Sequence, residues 1–192
     1  MRLFGTLFLI LFSSLAKASE SELIDAAEGA PKHITAYASY MVWSGDKFVQ
    51  KLKGSNEFVC LVLQDSKGRF EPTCLNRAAM KSVFPVYEYQ TQLLQKGEDI
   101  SDIHKAIESK FKQGEFEAPL PGALVYMMSK RNKFYDHFNQ RLVNVGPHIM
   151  LYLPKQSESS LGLNGENGLP GFYNEYPHMS VIHISTEYSS KN

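Results

Sequence analysis

Hydrophobic positions along the chain fall into short runs broken by turn residues, with a change of period near the middle. Ala36 to Trp43 predicts a strand that stops at the Ser44-Gly45-Asp46 turn, and Phe48 to Lys53 leads to Gly54-Ser55-Asn56, a turn that launches the next hairpin. Phe58-Val59-Cys60-Leu61-Val62-Leu63 is dense in strand formers, Asp65-Ser66-Lys67-Gly68 is a turn cluster, and Arg69 to Cys74 returns from it as a hairpin arm. From 76 to 96 the period becomes helical: Ala79, Met80, Val83, Phe84, Tyr87 and Leu94 form one stripe, Asn76 is a candidate cap, and Pro85 is expected to kink or split the helix. A second helix fits 100–112, capped by Asp99 or Ser101 and stopped at Gly114, and a shorter one fits Glu20 to Ala30.

Beyond Ala118-Pro-Leu-Pro-Gly122 the strand pattern returns. Ala123 to Met128 is a continuous apolar run, the mark of a buried strand, and His148 to Leu153 is another that ends at Pro154. Lys130 to Asn144 is polar and reads as a loop or short helix. Residues 154–177, with Gly162, Gly165, Gly168 and Gly171 three apart and Pro170 and Pro177 interrupting, read as one long loop. That glycine spacing is neither G-x-G-x-x-G nor a P-loop. His178 to Ser185 is the last strand. Strands before and after a central helical block, without βαβ alternation, predict an α+β fold: a mainly antiparallel sheet with helices from the central region packed on it, as a single domain over 19–192.

The first eighteen residues are set apart from this pattern. Met1-Arg2 gives a cationic start, Leu3 to Leu15 is nearly all apolar, and Ala16-Lys17-Ala18 has small side chains where an A-x-A cleavage site needs them. Thirteen helical residues reach roughly 20 Å, short of a hydrocarbon core of about 30 Å. The expectation is therefore a signal peptide over 1–18, cleaved near Ala18. The product would be periplasmic or extracellular, without a membrane span in the mature chain. The charge balance fits that picture: 20 basic and 20 acidic residues give a net charge of zero. Loss of 1–18 removes Arg2 and Lys17 and no acid, leaving 18 basic and 20 acidic groups, −2 net. A chain without cationic excess is not built to hold nucleic acid.

Export changes the expectation for Cys60 and Cys74, the only cysteines. Both lie seven residues from Lys67, so a hairpin centred there sets the two thiols opposite each other, and an oxidising compartment favours a disulfide. Pro72 on the second arm argues for an edge or irregular strand.

Candidate chemistry rests on histidines. On the His148–Leu153 strand, His148, Met150 and Tyr152 share one face and Ile149, Leu151 and Leu153 the other, taken as the core side. On the last strand His178 and His183 fall on opposite faces. Were the two strands neighbours, His148 and His178, with Met150 and Tyr176, would form a polar pocket beneath the 154–177 loop. This would be a binding module for a small molecule, or for a metal on His148 and His178, which copper would accept with a Met. The alternatives are a hydrolase-like enzyme with His148 or His178 as general base, and an envelope structural or interaction protein. H-E-x-x-H and G-x-S-x-G motifs are missing from the sequence.

The combination Gly54-x-Asn56-x-Phe58-x-Cys60, Pro72-x-Cys74, Tyr126-Met127, Gly146-Pro147-His148-x-Met150 and Tyr176-x-His178 resembles a family of exported bacterial proteins without an assigned reaction. The likeness runs roughly from Ala36 to Ile184 and implies His148 and His178 as matching positions. Two departures stand out. Members often carry Asp soon after the second Cys, where this chain has Asn76, and a Pro soon after the C-terminal His, where this chain reads Val181-Ile182-His183.

Overall fold

The structure is a computed structural model that describes residues 20–137, 139–163, 170–174, 176 and 178–186. The expected signal peptide lies outside the described residues, as do Gly165, Gly168, Glu175 and Pro177 of the long loop. Residues 20–26 form α1, which runs into a 3-10 turn at Ala27–Gly29 and the single-turn α2 (Lys32–Thr35). Strands β1 (Ser39–Trp43), β2 (Phe48–Leu52), β3 (Val59–Gln64) and β4 (Phe70–Leu75) follow. The helical block is α3 (Arg77–Ser82), α4 (Phe84–Gln95) and α5 (Ile100–Lys112). Strands β5 (Leu124–Met127), β6 (Lys133–Asp136), β7 (Arg141–Asn144), β8 (His148–Tyr152), β9 (Gly171–Asn174) and β10 (Ser180–Ser185) complete the chain. The fold is α+β, as the pattern of runs predicts.

The ten described strands make one sheet in the order β2-β1-β3-β4-β5-β8-β10-β9, with the β6–β7 hairpin attached to β4. Every pairing is antiparallel except β1 with β3. Pro85 acts as expected: the helix breaks at Val83, and the proline falls in the first turn of α4, where a missing N–H costs nothing. Asn76 caps α3 by accepting from Ala79 N at 2.9 Å, and its amide donates to Gly122 O at 2.8 Å, which ties the helix start to the entry of β5.

The hairpin register is the one that Lys67 as centre predicts. Cys60 faces Cys74 and the two are joined as a disulfide, with Cα atoms 4.1 Å apart. That separation marks a non-hydrogen-bonded pair, and Val62↔Pro72, two residues along, is of the same kind. The nitrogen of Pro72 therefore points away from β3. It points into the gap between the β4–β6 contact at Phe70 and the β4–β5 contact at Cys74, where no ladder needs a donor. A proline sits inside the sheet because its strand changes partner there.

Each sheet face has its own core. Leu61, Leu63, Leu75, Val125, Tyr152 and Val181 pack with Val83, Val86, Tyr87, Ile103 and Ile107 from the helical block. On the opposite face, Cys60, Val62 and Cys74 pack under Ala26, Ala30 and Ile34 of the N-terminal segment. The fit of that segment is close: a Cβ on Gly29 would lie 2.8 Å from Thr73 N and 3.0 Å from Cys74 Sγ.

Three expectations need correction. Residues 130–144 are not a loop or helix, since Phe134 and Tyr135 are strand formers and pair with Val143 and Leu142 across a hairpin. The 154–177 segment is not wholly loop: it holds a 3-10 turn at Ser159–Leu161, and its end is the edge strand β9, while β10 begins at Ser180 rather than His178. The third is the orientation of β8. Its buried ends are His148 and Tyr152, so the face toward the helices is His148, Met150 and Tyr152, and Ile149 and Leu151 lie on the reverse. The helices bring Tyr87 to that face, and a phenol partner suits Tyr152 better than an aliphatic side chain does.

Candidate functional site

Inverting β8 decides which side chains meet. Its neighbour β10 runs antiparallel with His183 opposite Met150 and Ser185 opposite His148. On the helix-facing side, residues 148, 150 and 183 thus form a triangle, and the imidazoles of His148 and His183 stack with centroids 4.2 Å apart at 28°. Tyr173 of β9 closes edge-on against His183 at 5.7 Å.

His148 is 3% exposed. Its Nδ1 lies 2.9 Å from the Gly146 carbonyl; a carbonyl can only accept, so Nδ1 carries the proton and Nε2 is left as an acceptor. Among the described residues Nε2 has no hydrogen-bond partner. Burial holds the pKa of His148 below its ordinary value against the opposing effect of Gly146. Burial, and next the neighbouring His148, push His183 down to about 4. Both rings are neutral at neutral pH.

Opposite the imidazoles stands a half-sealed ion pair. Arg69 Nε donates to Glu71 Oε2, with side chains only 12% and 9% exposed. Arg69 Nη1 donates to Gln90 Oε1 at 3.3 Å, and Gln90 Nε2 donates to the Tyr176 hydroxyl at 2.8 Å. The Tyr87 hydroxyl hydrogen-bonds the Tyr152 hydroxyl and reaches Met150 Sδ at 3.7 Å.

These groups enclose a cavity of about 240 Å³ bounded by Arg69, Glu71, Tyr87, Met127, Phe134, Val145, His148, Met150, Tyr173 and His183. Burial orders it by depth: Tyr87, Met127 and His148 are sealed, whereas Phe134 at 37% and Tyr173 at 55% exposure stand at the mouth. A second cavity of about 200 Å³ lies on the far side of the Arg69–Glu71 pair, toward Tyr135 and His137. A larger recess, about 620 Å³ beside α3, has Arg77 and Glu57 as its ion pair, with both side chains two-thirds exposed. Solvated charges of that kind bind weakly, so the chemistry points to the smaller cavity.

Of the residues expected at a site, His148 and Met150 line this cavity and the other two do not. Tyr176 is buried against α4 and α5, with its ring on His104 at 5.2 Å, and reaches the cavity wall only through Gln90. His178 is exposed and packs on Phe111 at 5.1 Å. His148 pairs with Ser185, and Ser180, where β10 begins, is already about 17 Å away at the usual rise per residue. The structure therefore does not bring His148 and His178 together. The partner of His148 is His183, which the alternation along β10 sets on the face of Val181. Only the strand register shows that this is the face of His148.

The donor set does not converge as a metal centre. Lone pairs of stacked imidazoles lie in nearly parallel planes, and the described residues hold no group of three or more His, Cys, Asp or Glu able to share an ion. Among the described residues no helix is long and apolar enough to cross a membrane. Comparison with protein families, with curated proteins and with solved structures finds no match to this chain.

Proposed function

We propose that the protein is an exported small-molecule binding module whose pocket is the cavity between the His148–His183 stack and the Arg69–Glu71 pair. One observation carries the reading: an almost fully buried histidine, its Nδ1 fixed by a backbone carbonyl and its Nε2 left without a hydrogen-bond partner among the described residues, lines a cavity with an aromatic mouth. Concave, mostly apolar sites with a few convergent polar groups are where small ligands bind. The disulfide suits an oxidising compartment, and the resemblance to exported bacterial proteins agrees with it.

An oriented neutral imidazole also suits a general base, so a hydrolase-like reaction is the second reading. It needs a nucleophile. The described side chains that line the cavity supply no Ser, Thr or Cys, so that reaction would use a water activated by His148.

The test is NMR of ¹⁵N-histidine-labelled oxidised protein against a library of small organic fragments at pH 7. Binding moves the His148 and His183 resonances in a saturable way and leaves His178 in place. A library that moves neither imidazole, or that moves His178 alone, overturns the assignment.

A further inference from the structure

The contents of the cavity restrict its ligand more narrowly than its shape does. Its two ionised side chains, Arg69 and Glu71, neutralise each other within the wall. The imidazoles are uncharged, so the described lining residues offer no net charge to a carboxylate or an ammonium group. Forcing either ion in would set it against the like-charged member of the pair in a medium that screens poorly. The walls are soft and flat: Tyr87, Phe134 and Tyr173 contribute rings, and Met127 and Met150 contribute thioethers, which pack well against aromatic edges. A cavity of about 150 Å³ suffices for benzene. The volume here, about 240 Å³, leaves space for one ring and a short substituent. Among the described lining residues, His148 Nε2 is an acceptor without a hydrogen-bond partner, and it suits a donor.

We propose that the site holds an uncharged single-ring aromatic with one O–H or N–H donor, a phenol or a small heteroaromatic, whose donor hydrogen-bonds His148 Nε2 while its ring packs between Met150 and the aromatics at the mouth. The inference rests on the ligand-binding reading above and specifies its ligand class. Phe134 and Tyr173 admit the ring edge-first. His183 lines the same cavity and holds the His148 ring by stacking on it, so His183 is a positioning residue and His148 the hydrogen-bonding one.

The experiment titrates the oxidised protein at pH 7 with p-cresol, toluene, benzoate and benzylamine, following the imidazole nitrogens by NMR. p-Cresol is expected to bind saturably and at least tenfold more tightly than toluene, and to shift His148 Nε2 upfield as it gains a hydrogen bond. Benzoate and benzylamine are expected to bind at least tenfold more weakly than p-cresol. A folded His148→Phe variant, which keeps a ring on the stack and loses the acceptor, should bind p-cresol and toluene alike. Equal affinity for p-cresol and toluene in the wild-type protein overturns the donor assignment without recourse to any variant. Tighter binding of benzoate or benzylamine overturns the uncharged class and leaves the pocket standing. If none of the four binds but the fragment library does perturb His148, the aromatic class falls and the pocket survives. Silence in both experiments removes both.

Discussion

The two faces of the sheet solve the same burial problem in opposite ways. On the face of the disulfide, small and apolar residues close tightly: Ala26 and Gly29 lie directly on Cys74 and Thr73, and the one covalent crosslink is fully enclosed. On the helix-facing side of β8 and β10, the sheet buries His148, Met150 and Tyr152 in place of aliphatic residues, and a cavity remains between them and Arg69–Glu71. The first face is built for stability. The second keeps a void, a largely buried ion pair and two imidazoles that must stay neutral, each a cost that a packed Leu or Val would avoid. On the proposed binding reading, ligand binding is the physical reason to retain such a site.

The largest effects should come from the tight regions. A Cβ on Gly54 would lie 2.2 Å from both the Tyr37 carbonyl oxygen and the Ala38 carbonyl carbon, backbone atoms that cannot move aside cheaply. Gly54→Ala is therefore expected to destabilise by about 3 kcal/mol or more, read as a lowered urea midpoint. Replacing Cys60 and Cys74 together with Ala should remove about 3 kcal/mol, since the bridge closes a loop of fourteen residues. Neither change should alter which ligand the cavity takes.

The cavity side gives smaller and more revealing effects. Arg69→Met leaves the Glu71 carboxylate without its partner and should cost about 2 kcal/mol, less than for a fully buried pair because both side chains retain some exposure. The double variant Arg69→Met/Glu71→Leu should recover most of that loss. If the double variant is as unstable as the single, the pair holds the fold together and is not a tolerated cost. Stability should also depend on pH. His183 titrates near 4 in the folded protein and near 6.5 when unfolded, so above pH 6.5 both states are neutral and the full stability is present. As pH falls from about 6.5 to about 4, the unfolded chain takes up the proton first and stability drains away. The expected loss is about 1–2 kcal/mol after allowance for the partial exposure of the ring. His183→Gln should flatten that slope in urea titrations at pH 7 and pH 4.5.

The tight face was more legible in the sequence than the open one, for physical reasons. The position of Lys67 between the cysteines sets a register that a hairpin can satisfy in only one way, and Pro85 has only a first helical turn to occupy without loss. Short-range rules suffice for both. The open site depends on long-range facts. Period-two alternation correctly divides β8 into two sets, but which set faces the core depends on what the helices bring to it, and Tyr87 meets Tyr152 across sixty-five residues. Likewise, alternation places His183 opposite in face to His178. That it opposes Met150 follows only from the β8–β10 register. The polar 130–144 stretch reads as a loop or short helix for a different reason: a hairpin whose strands lie largely at the surface buries too little to show alternation, and only Phe134 and Tyr135 point to it.

The most direct test of the account is the protonation state of the two stacked imidazoles. Long-range ¹H–¹⁵N spectra of the oxidised protein at pH 7 should show both rings neutral, with His148 protonated on Nδ1 and its Nε2 free, and with His183 titrating well below pH 6. A His148 that carries its proton on Nε2, or an imidazolium on either ring at pH 7, would contradict the acceptor on which the binding site rests.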